Sequence, residues 1–471
     1  MNSSASPLAG WRATLGAIEE SRWGVLIPMV VAGVLGIIGI GDKSFWLDEA
    51  FSASIIRLPT SDLLVYMFHN ELQASPYYLS LQVWSTLGYD EAMLRLLSVV
   101  FGVLAVAATY AVARRYGVAL PAALLLAVSP FFIHYEQEAR VYSLLVAWCA
   151  ITTLAYLRLV ERPGRRRALI YMLVAAVLIY VHPLSGWILV AHAVVTLLFA
   201  PPRWRRRLLA LYVPVLVASI PMIRFLILNH GRASWIPPAT PGGVAHTLVA
   251  LSGGAAVTIA FAIVVALALR RVLPELRLPK LWLPVLWLVA PVGGILLMSV
   301  VIQPLWVDRY LIGILPPLVI LVAYAVKTYR WRWAILTSLV ALSLLGVNSW
   351  YVNGVKDNWR AAAAFVDAHA QPTDGVIMWP DYYRLPFGYY TAVGEPLFPS
   401  TPWSQLYMPF LGLPIDPPPD VHNERIWLVR SVAFAPSPEI ATLLAQYDTV
   451  ETHLYGRSQP EIDLLVRRAS P

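Results

Sequence analysis

Residues 24–49 read GVLIPMVVAGVLGIIGIGDKSFWLDE, an apolar run of helix length that ends in two acidic residues. The run from Gly24 to Gly41 is followed by no convincing signal-peptide cleavage site, so it predicts a first membrane-spanning helix rather than a removed leader. Asp48 and Glu49 would then lie where this helix leaves the membrane.

The whole chain has the composition of a membrane protein. Of its 471 residues, 58% are hydrophobic and 13% are charged, and the mean hydropathy is +0.64. Soluble proteins average about a quarter charged residues. The apolar residues occur in blocks of helix length, which favours spanning helices over strands. The single cysteine, Cys149, lies in such a block and excludes an intrachain disulfide.

Basic residues give this architecture a direction. They concentrate in alternate loops, such as 162–167 and 203–207, and are sparse in the others. This bias predicts a multi-pass protein of the cytoplasmic membrane with its N-terminus on the cytoplasmic side. With an odd number of spans, the C-terminal tail is then extracytoplasmic. Because the basic residues flank spans, the net charge of +8 does not indicate nucleic-acid binding. The eleven predicted spans are 24–41, 92–115, 118–133, 137–160, 168–181, 184–200, 208–228, 246–269, 281–303, 309–326 and 333–350.

Two regions depart from the spanning pattern. Residues 42–91 predict a long outside loop with interfacial amphipathic helices at 49–57 and 77–87. From residue 351 the composition becomes that of a soluble domain, in which apolar runs predict strands between helices. We therefore predict an all-α polytopic membrane domain, 1–350, and a small extracytoplasmic α/β domain, 351–471. In the tail, helices are predicted at 358–370 and near 437–446, and strands at 376–379 and 425–429.

Polar residues beside the predicted spans are the candidates for chemistry. Asp48 and Glu49 are interfacial carboxylates, and a partly desolvated carboxylate is suited to act as a general base. Solvated acids in the first turn of a helix are the alternative. A second outside cluster, His134 to Tyr142, includes Glu138 and Arg140. It is either functional or a polar turn with interfacial tyrosines.

A third outside turn contains Asp308, Arg309 and Tyr310. Arg309 pairs either with Asp308, as a structural contact, or with a ligand phosphate, which a guanidinium binds through two hydrogen bonds. His69 and Glu71 would be two ligands of a divalent cation, but two such residues with no third at metal spacing are more typical of a structural polar turn.

The remaining histidines and the motif searches do not indicate a further functional site. His182 and His192 lie in or beside spans and are expected to be hydrogen-bonded packing residues. There is no glycine-rich phosphate loop followed by Lys-Ser/Thr, and no Gly-x-Ser-x-Gly or His-Glu-x-x-His motif. ATP-driven chemistry is therefore not indicated.

Six short motifs are spread along the chain: Trp46–Ser52, Ser75–Leu79, Arg95–Leu96, Gln137–Tyr142, Arg309–Leu311 and Asn358–Arg360. They resemble, in the same order, the motifs of GT-C membrane glycosyltransferases, in the branch that contains protein O-mannosyltransferases and lipid A aminoarabinose transferases. The lysine that precedes the Pro-Pro element in aminoarabinose transferases is absent here, which disfavours that donor.

The resemblance implies an inverting transferase that moves a sugar, mannose or another hexose, from a polyprenyl-phosphate donor to an extracytoplasmic glycan, glycolipid or protein. It implies Asp48 as catalytic base, supported by Glu49, and Arg140 and Arg309 as ligands of the lipid phosphate. The residues predicted to bind substrate are His69, Glu71, Tyr77, Glu138, Arg140, Tyr142, Arg309 and Tyr310.

Two other functions compete with this one. A transporter or lipid flippase would also carry charged residues, but usually near mid-membrane and on paired repeats, and no repeat is visible in this sequence. A non-enzymatic scaffold of the cell envelope would give no reason for two acids at the span exit.

Overall fold

A computed structural model describes residues 23–468 with several gaps, and its internal contacts separate it into two compact units. The first unit comprises the described parts of 1–38, 71–77 and 95–352, and the second those of 39–70, 78–94 and 353–471. The predicted domain limits, 1–350 and 351–471, stay a prediction. The gaps are 232, 234, 253, 255–257, 261, 264–265, 267–274, 276–278, 328, 355, 393–396, 399–422, 432–437 and 457–459.

The described chain is mainly helical. Its helices are α1 (Leu26–Ile37), α2 (Leu47–Ile55), α3 (Thr60–Asn70), α4 (Ser75–Trp84), α5 (Glu91–Ala113), α6 (Ala119–Ala127), α7 (Pro130–Glu136), α8 (Tyr142–Glu161), α9 (Arg165–Val181), α10 (Gly186–Phe199), α11 (Pro202–Ala210), α12 (Tyr212–Leu228), α13 (Pro241–Ser252), α14 (Pro279–Val301), α15 (Leu315–Val326), α16 (Arg332–Asn353), α17 (Trp359–His369), α18 (Arg384–Tyr390) and α19 (Pro438–Leu444).

The first unit has the character of a membrane domain. Among the described residues, six helical segments are long and apolar enough to cross a bilayer, and the bent pair of α6 and α7 would make a seventh. The helical membrane architecture is therefore confirmed, whereas the count of eleven spans stays a prediction. Most of the predicted span 246–269 beyond α13 lies outside the described residues. The six segments are Glu91–Tyr116, Tyr142–Glu161, Pro202–Leu228, Pro279–Val301, Asp308–Val326 and Arg332–Asn353.

The predicted span 118–133 is not one straight helix, because α6 and α7 meet at an angle of 60°. Ser129 caps α7 by accepting a hydrogen bond on its side-chain oxygen from the backbone N–H of Phe132, 3.4 Å away. Pro130 occupies the first position of α7, where its missing N–H costs nothing, but the same residue cannot continue α6. This sequence therefore ends one helix and starts another.

The last residue of α7, Glu136, is fully buried. Neither of its carboxylate oxygens has a hydrogen-bond partner in the described chain. Its side chain lies against two glycines, Gly36 of α1 and Gly102 of α5. A Cβ added at Gly102 would stand 2.1 Å from Oε1 and 2.8 Å from Cγ of Glu136, and one at Gly36 would stand 3.0 Å from its Cδ. The two glycines thus make the room that Glu136 occupies.

We expect Gly102→Ala to lower the stability of the protein by about 1–3 kcal/mol, because the added methyl group would overlap the buried side chain of Glu136 as far as Cγ. Thermal unfolding in detergent would measure this. Adding Glu136→Ala should restore most of the loss. Gly33→Ala is the matched control in α1, since its Cβ would meet only Val103 at an ordinary 3.5 Å. Equal losses from Gly33→Ala and Gly102→Ala would contradict the packing argument.

The second unit contains a five-stranded sheet in the order β2-β1-β3-β5-β4. Strand β1 is parallel to β2 and β3, whereas β5 is antiparallel to β3 and β4. Trp359 of α17 and Trp427 of β3 are buried in the same hydrophobic core. The strands are β1 (Gly375–Trp379), β2 (Leu397–Phe398), β3 (Arg425–Arg430), β4 (Tyr447–Leu454) and β5 (Glu461–Arg467).

These elements confirm the small C-terminal sheet domain. The predicted helices of the tail correspond to α17 and α19, and the predicted strands to β1 and β3. Helices α2 and α4 correspond to the two helices expected in the long outside loop, and α3 is an additional one.

Candidate active site

The acidic pair lies in the first turn of α2, in the second unit. Trp46 precedes the helix in an extended conformation, so the chain turns into the helix just before the two acids. Asp48 is half-buried and Glu49 is buried. The ammonium Nζ of Lys356 stands 2.9 Å from Oε2 of Glu49, and their side chains are 7% and 0% exposed. This ion pair balances the charge of Glu49, and Asp48 is the more accessible acid of the two.

The segment just before α2 is held by the start of the tail, in the same unit. The side chain of Asn358 caps α17 by accepting from the backbone N–H of Ala361 at 3.1 Å. The backbone N–H of Trp359 donates to Oγ of Ser44 at 3.1 Å. Arg360 donates through Nη2 to the carbonyl of Gly41 at 3.0 Å. The motif at 358–360 therefore fixes the approach to the acidic pair.

A second set of contacts supports the same segment. Tyr390 of α18 accepts a hydrogen bond from the backbone N–H of Phe45 at 2.6 Å and donates one to Oε1 of Glu91 at 2.5 Å. Arg360 also reaches Glu91, with 2.6 Å between Nη2 and Oε1. The ring of Phe45 is fully buried and lies 5.0 Å from that of Tyr389. Sequence reasoning missed Lys356, Glu91 and Tyr390, which belong to no recognisable motif.

The cluster at 134–142 lies in the first unit. The ring of His134 stacks on Trp350 at 3.9 Å and on Tyr135 at 4.6 Å between centroids. Its Nε2 lies 3.4 Å from Oε1 of the buried Glu138. Tyr142 packs edge-on against Tyr135 at 4.8 Å. Glu138 and Tyr142 are thus parts of one buried aromatic and acidic cluster, rather than of a solvated turn.

The late arginine of the same unit stands near this cluster. The carboxylate of Asp308 accepts a hydrogen bond from the backbone N–H of Arg309 at 2.8 Å. The guanidinium of Arg309 lies over the rings of Trp235 and Tyr310, at 5.3 and 5.7 Å. Glu138, Asp308 and Arg309 all interact electrostatically with the hydroxyl of Tyr135. The structure therefore brings the second and third polar clusters together.

Arg140 and Tyr77 of the first unit are linked through Ser98. The hydroxyl of the fully buried Tyr77 lies 2.9 Å from Oγ of Ser98, which also donates to the carbonyl of Arg140 at 3.3 Å. This link positions the backbone of Arg140. Roles for Tyr77 and for the Arg140 guanidinium in substrate binding stay predictions.

His69 and Glu71 have local partners. Nδ1 of the exposed His69 lies 2.9 Å from the carbonyl of Val65, and Oε1 of Glu71 accepts from Nε2 of Gln73 at 3.3 Å. Nowhere in the described chain do three His, Cys, Asp or Glu residues stand where they could hold one metal ion. The described residues therefore offer the predicted cation no third ligand of these types.

The two lone histidines differ. His192 is a packing residue, as predicted: its ring nitrogens lie 3.2 Å from the hydroxyls of Thr153 and Tyr171, and it stacks on Tyr156. The same prediction is wrong for His182, whose Nδ1 is buried without a hydrogen-bond partner in the described chain. His182 lies in the turn after α9, and burial and the positive charge of Arg309 lower its pKa to about 4.

Comparisons with known proteins agree with this architecture. The family model for dolichyl-phosphate-mannose-protein mannosyltransferase matches residues 76–229. No protein with a curated description matches the sequence. Two crystal structures of ArnT from Cupriavidus metallidurans are similar in fold. The one bound to undecaprenyl phosphate has a TM-score of 0.58 and 15% identity, with 94% of this chain and 98% of that chain covered. The apo structure has a TM-score of 0.59 and 14% identity, with 94% and 97% covered.

These matches bear out the resemblance predicted from the motifs. The structural likeness shows an ArnT-like fold, and this agrees with the predicted combination of a multi-pass membrane domain and a small sheet domain. The family model that matches residues 76–229 describes a mannosyltransferase, which belongs to the glycosyltransferase class predicted from the motifs. The orientation of the termini across the membrane stays a prediction.

Proposed function

We propose that this chain transfers a hexose, such as mannose, from a polyprenyl-phosphate donor to an extracytoplasmic glycan, glycolipid or protein, with Asp48 as general base. The match to a dolichyl-phosphate-mannose-protein mannosyltransferase model supports the donor class. So does the likeness to an ArnT structure bound to undecaprenyl phosphate. The long apolar helices provide an environment for a polyprenyl tail.

The observation that carries the proposal is the unequal environment of the two acids of α2. The charge of Glu49 is balanced by Lys356 at 2.9 Å, and both side chains are buried, so Glu49 is suited to holding the helix start in place. Asp48 lies on the same turn and is only half-buried. A partly buried carboxylate is suited to accept the proton of the acceptor hydroxyl while the hydroxyl oxygen attacks the sugar.

The reaction needs little else from the protein. The acceptor oxygen forms a bond to the anomeric carbon as the bond from that carbon to the phosphate oxygen breaks, so the configuration inverts. The proton of the acceptor goes to Asp48, and the electron pair of the broken bond leaves with the polyprenyl phosphate. Arg309, which is half-buried beside Tyr310, would stabilise the charge that develops on the phosphate.

Reconstitution of the wild-type protein in liposomes would test this function. We expect it to consume a polyprenyl-phosphate hexose, release polyprenyl phosphate, and form a product of inverted configuration on an envelope-derived acceptor. The donor panel should include mannose, glucose, galactose and aminoarabinose forms, with the last one inactive. A donor that crosses the bilayer intact, without release of polyprenyl phosphate, would instead identify a flippase.

A further inference from the structure

His182 is a buried histidine with an unsatisfied ring nitrogen. It is 7% exposed, and its Nδ1 lies in the interior with no hydrogen-bond partner in the described chain. A buried polar atom without a partner costs about 1–3 kcal/mol. His192, also buried in the first unit, has hydroxyl partners for both ring nitrogens. An apolar residue at 182 would avoid the cost of an unsatisfied buried nitrogen. We therefore expect the imidazole to bind a partner from outside the chain.

The surroundings of His182 indicate what that partner is. Its ring lies 5.0 Å from the ring of Tyr310, and it interacts electrostatically with the adjacent Arg309. The guanidinium of Arg309 in turn lies over Trp235 and Tyr310. A fixed cation favours anions nearby, and a neutral imidazole can donate one ring N–H to an anion oxygen.

We propose that His182 is a phosphate-binding residue, which donates a hydrogen bond from Nδ1 to the polyprenyl-phosphate group beside Arg309. This inference rests on the proposed function, which supplies the phosphate. The imidazole keeps its proton throughout. The phosphate gains one negative charge when its bond to the sugar breaks, so a donor aimed at it stabilises the leaving group more than the intact donor.

Binding of undecaprenyl phosphate to the full-length protein in nanodiscs tests the inference. We expect His182→Leu to weaken binding about 10- to 100-fold, as for loss of one buried hydrogen bond to a charged group. His182→Asn should stay within about threefold of wild type, because its side-chain amide places an N–H near the position of Nδ1. The kcat/KM for the donor should fall in the Leu variant and recover in the Asn variant.

Stability separates this role from a structural one. Without ligand, His182→Leu should unfold at the wild-type temperature or above it, because it removes an unsatisfied buried nitrogen. The matched control is His192→Leu, which breaks two hydrogen bonds and should lower the unfolding temperature without changing the affinity for undecaprenyl phosphate.

Wild-type affinity in His182→Leu would overturn the inference, and so would equal weakening in the Leu and Asn variants. A fall in ligand-free stability of His182→Leu as large as that of His192→Leu would also overturn it, by making His182 structural. Failure of the wild-type protein to bind undecaprenyl phosphate would instead remove the proposed function, together with this inference.

Discussion

Asp48→Asn is expected to abolish sugar transfer while the protein stays folded and inserted in the membrane. A positioned general base contributes about 10²- to 10⁴-fold to rate, and asparagine keeps the shape of aspartate but cannot take the proton of the acceptor. The backbone carbonyl of Asp48, not its side chain, accepts the hydrogen bond from Oγ of Ser52 within α2. Loss of the carboxylate therefore leaves this helix contact in place.

Turnover of a polyprenyl-phosphate hexose by purified variants would measure the effect. We expect kcat to fall by at least about 10²-fold, with the affinity for undecaprenyl phosphate unchanged, because Asp48 acts on the acceptor. Asp62→Asn is the matched control, since Asp62 also lies in the first turn of a helix, α3, and is exposed. Asp62→Asn should keep wild-type turnover. Wild-type kcat in Asp48→Asn would remove Asp48 as the base.

Much of the fold could be predicted because the membrane imposes a local rule. A backbone that crosses a bilayer must satisfy its own hydrogen bonds, so each apolar block of sufficient length reads as a helix. The rule failed at Ser129 and Pro130, where an apolar block of the right length contains a local stop and start. The same rule does not predict how deeply short helices such as α1 and α9 enter the bilayer, or at what angle to it they lie.

The sheet of the tail was only half predictable for the opposite reason. Strands β1 and β3 are apolar and central, and both were predicted. Strand β4 lies at the edge of the sheet and is largely exposed, so it lacks the apolar alternation that marks a half-buried strand. Strand β2 has two residues and leaves almost no pattern at all.

The candidate site shows the same limit at the level of side chains. Asp48, Glu138 and Arg309 could be proposed from the sequence because charges beside membrane spans are conspicuous. Lys356 could not be found, because it meets Glu49 across 307 positions of sequence and belongs to a stretch with no unusual composition. His182 was assigned to packing because a lone histidine gives no sign of whether its nitrogens have partners.

Breaking the ion pair between Glu49 and Lys356 should have the largest effect on stability. Lys356→Met leaves the buried carboxylate of Glu49 without the ammonium that stands 2.9 Å from it. Glu49→Met leaves the buried ammonium of Lys356 without that carboxylate. Removing one partner of a buried pair typically costs about 3–5 kcal/mol, because the remaining charge stays desolvated. Turnover should fall as well, since α2 carries Asp48 on the adjacent position.

The double variant Glu49→Met/Lys356→Met distinguishes charge from packing. Replacing both members of a buried pair with apolar residues is often nearly neutral, so the double variant should be more stable than either single one in thermal unfolding. Glu161→Gln breaks a pair of similar length with Arg115, 2.7 Å, but its side chains are 26% and 47% exposed. That control should cost less than about 1 kcal/mol.

Additive losses in the double variant would mean that Glu49 and Lys356 stabilise α2 independently, and that the charge of Glu49 is balanced by other groups. In that case the ion pair of Glu49 would give no reason to prefer Asp48 over Glu49 as the base.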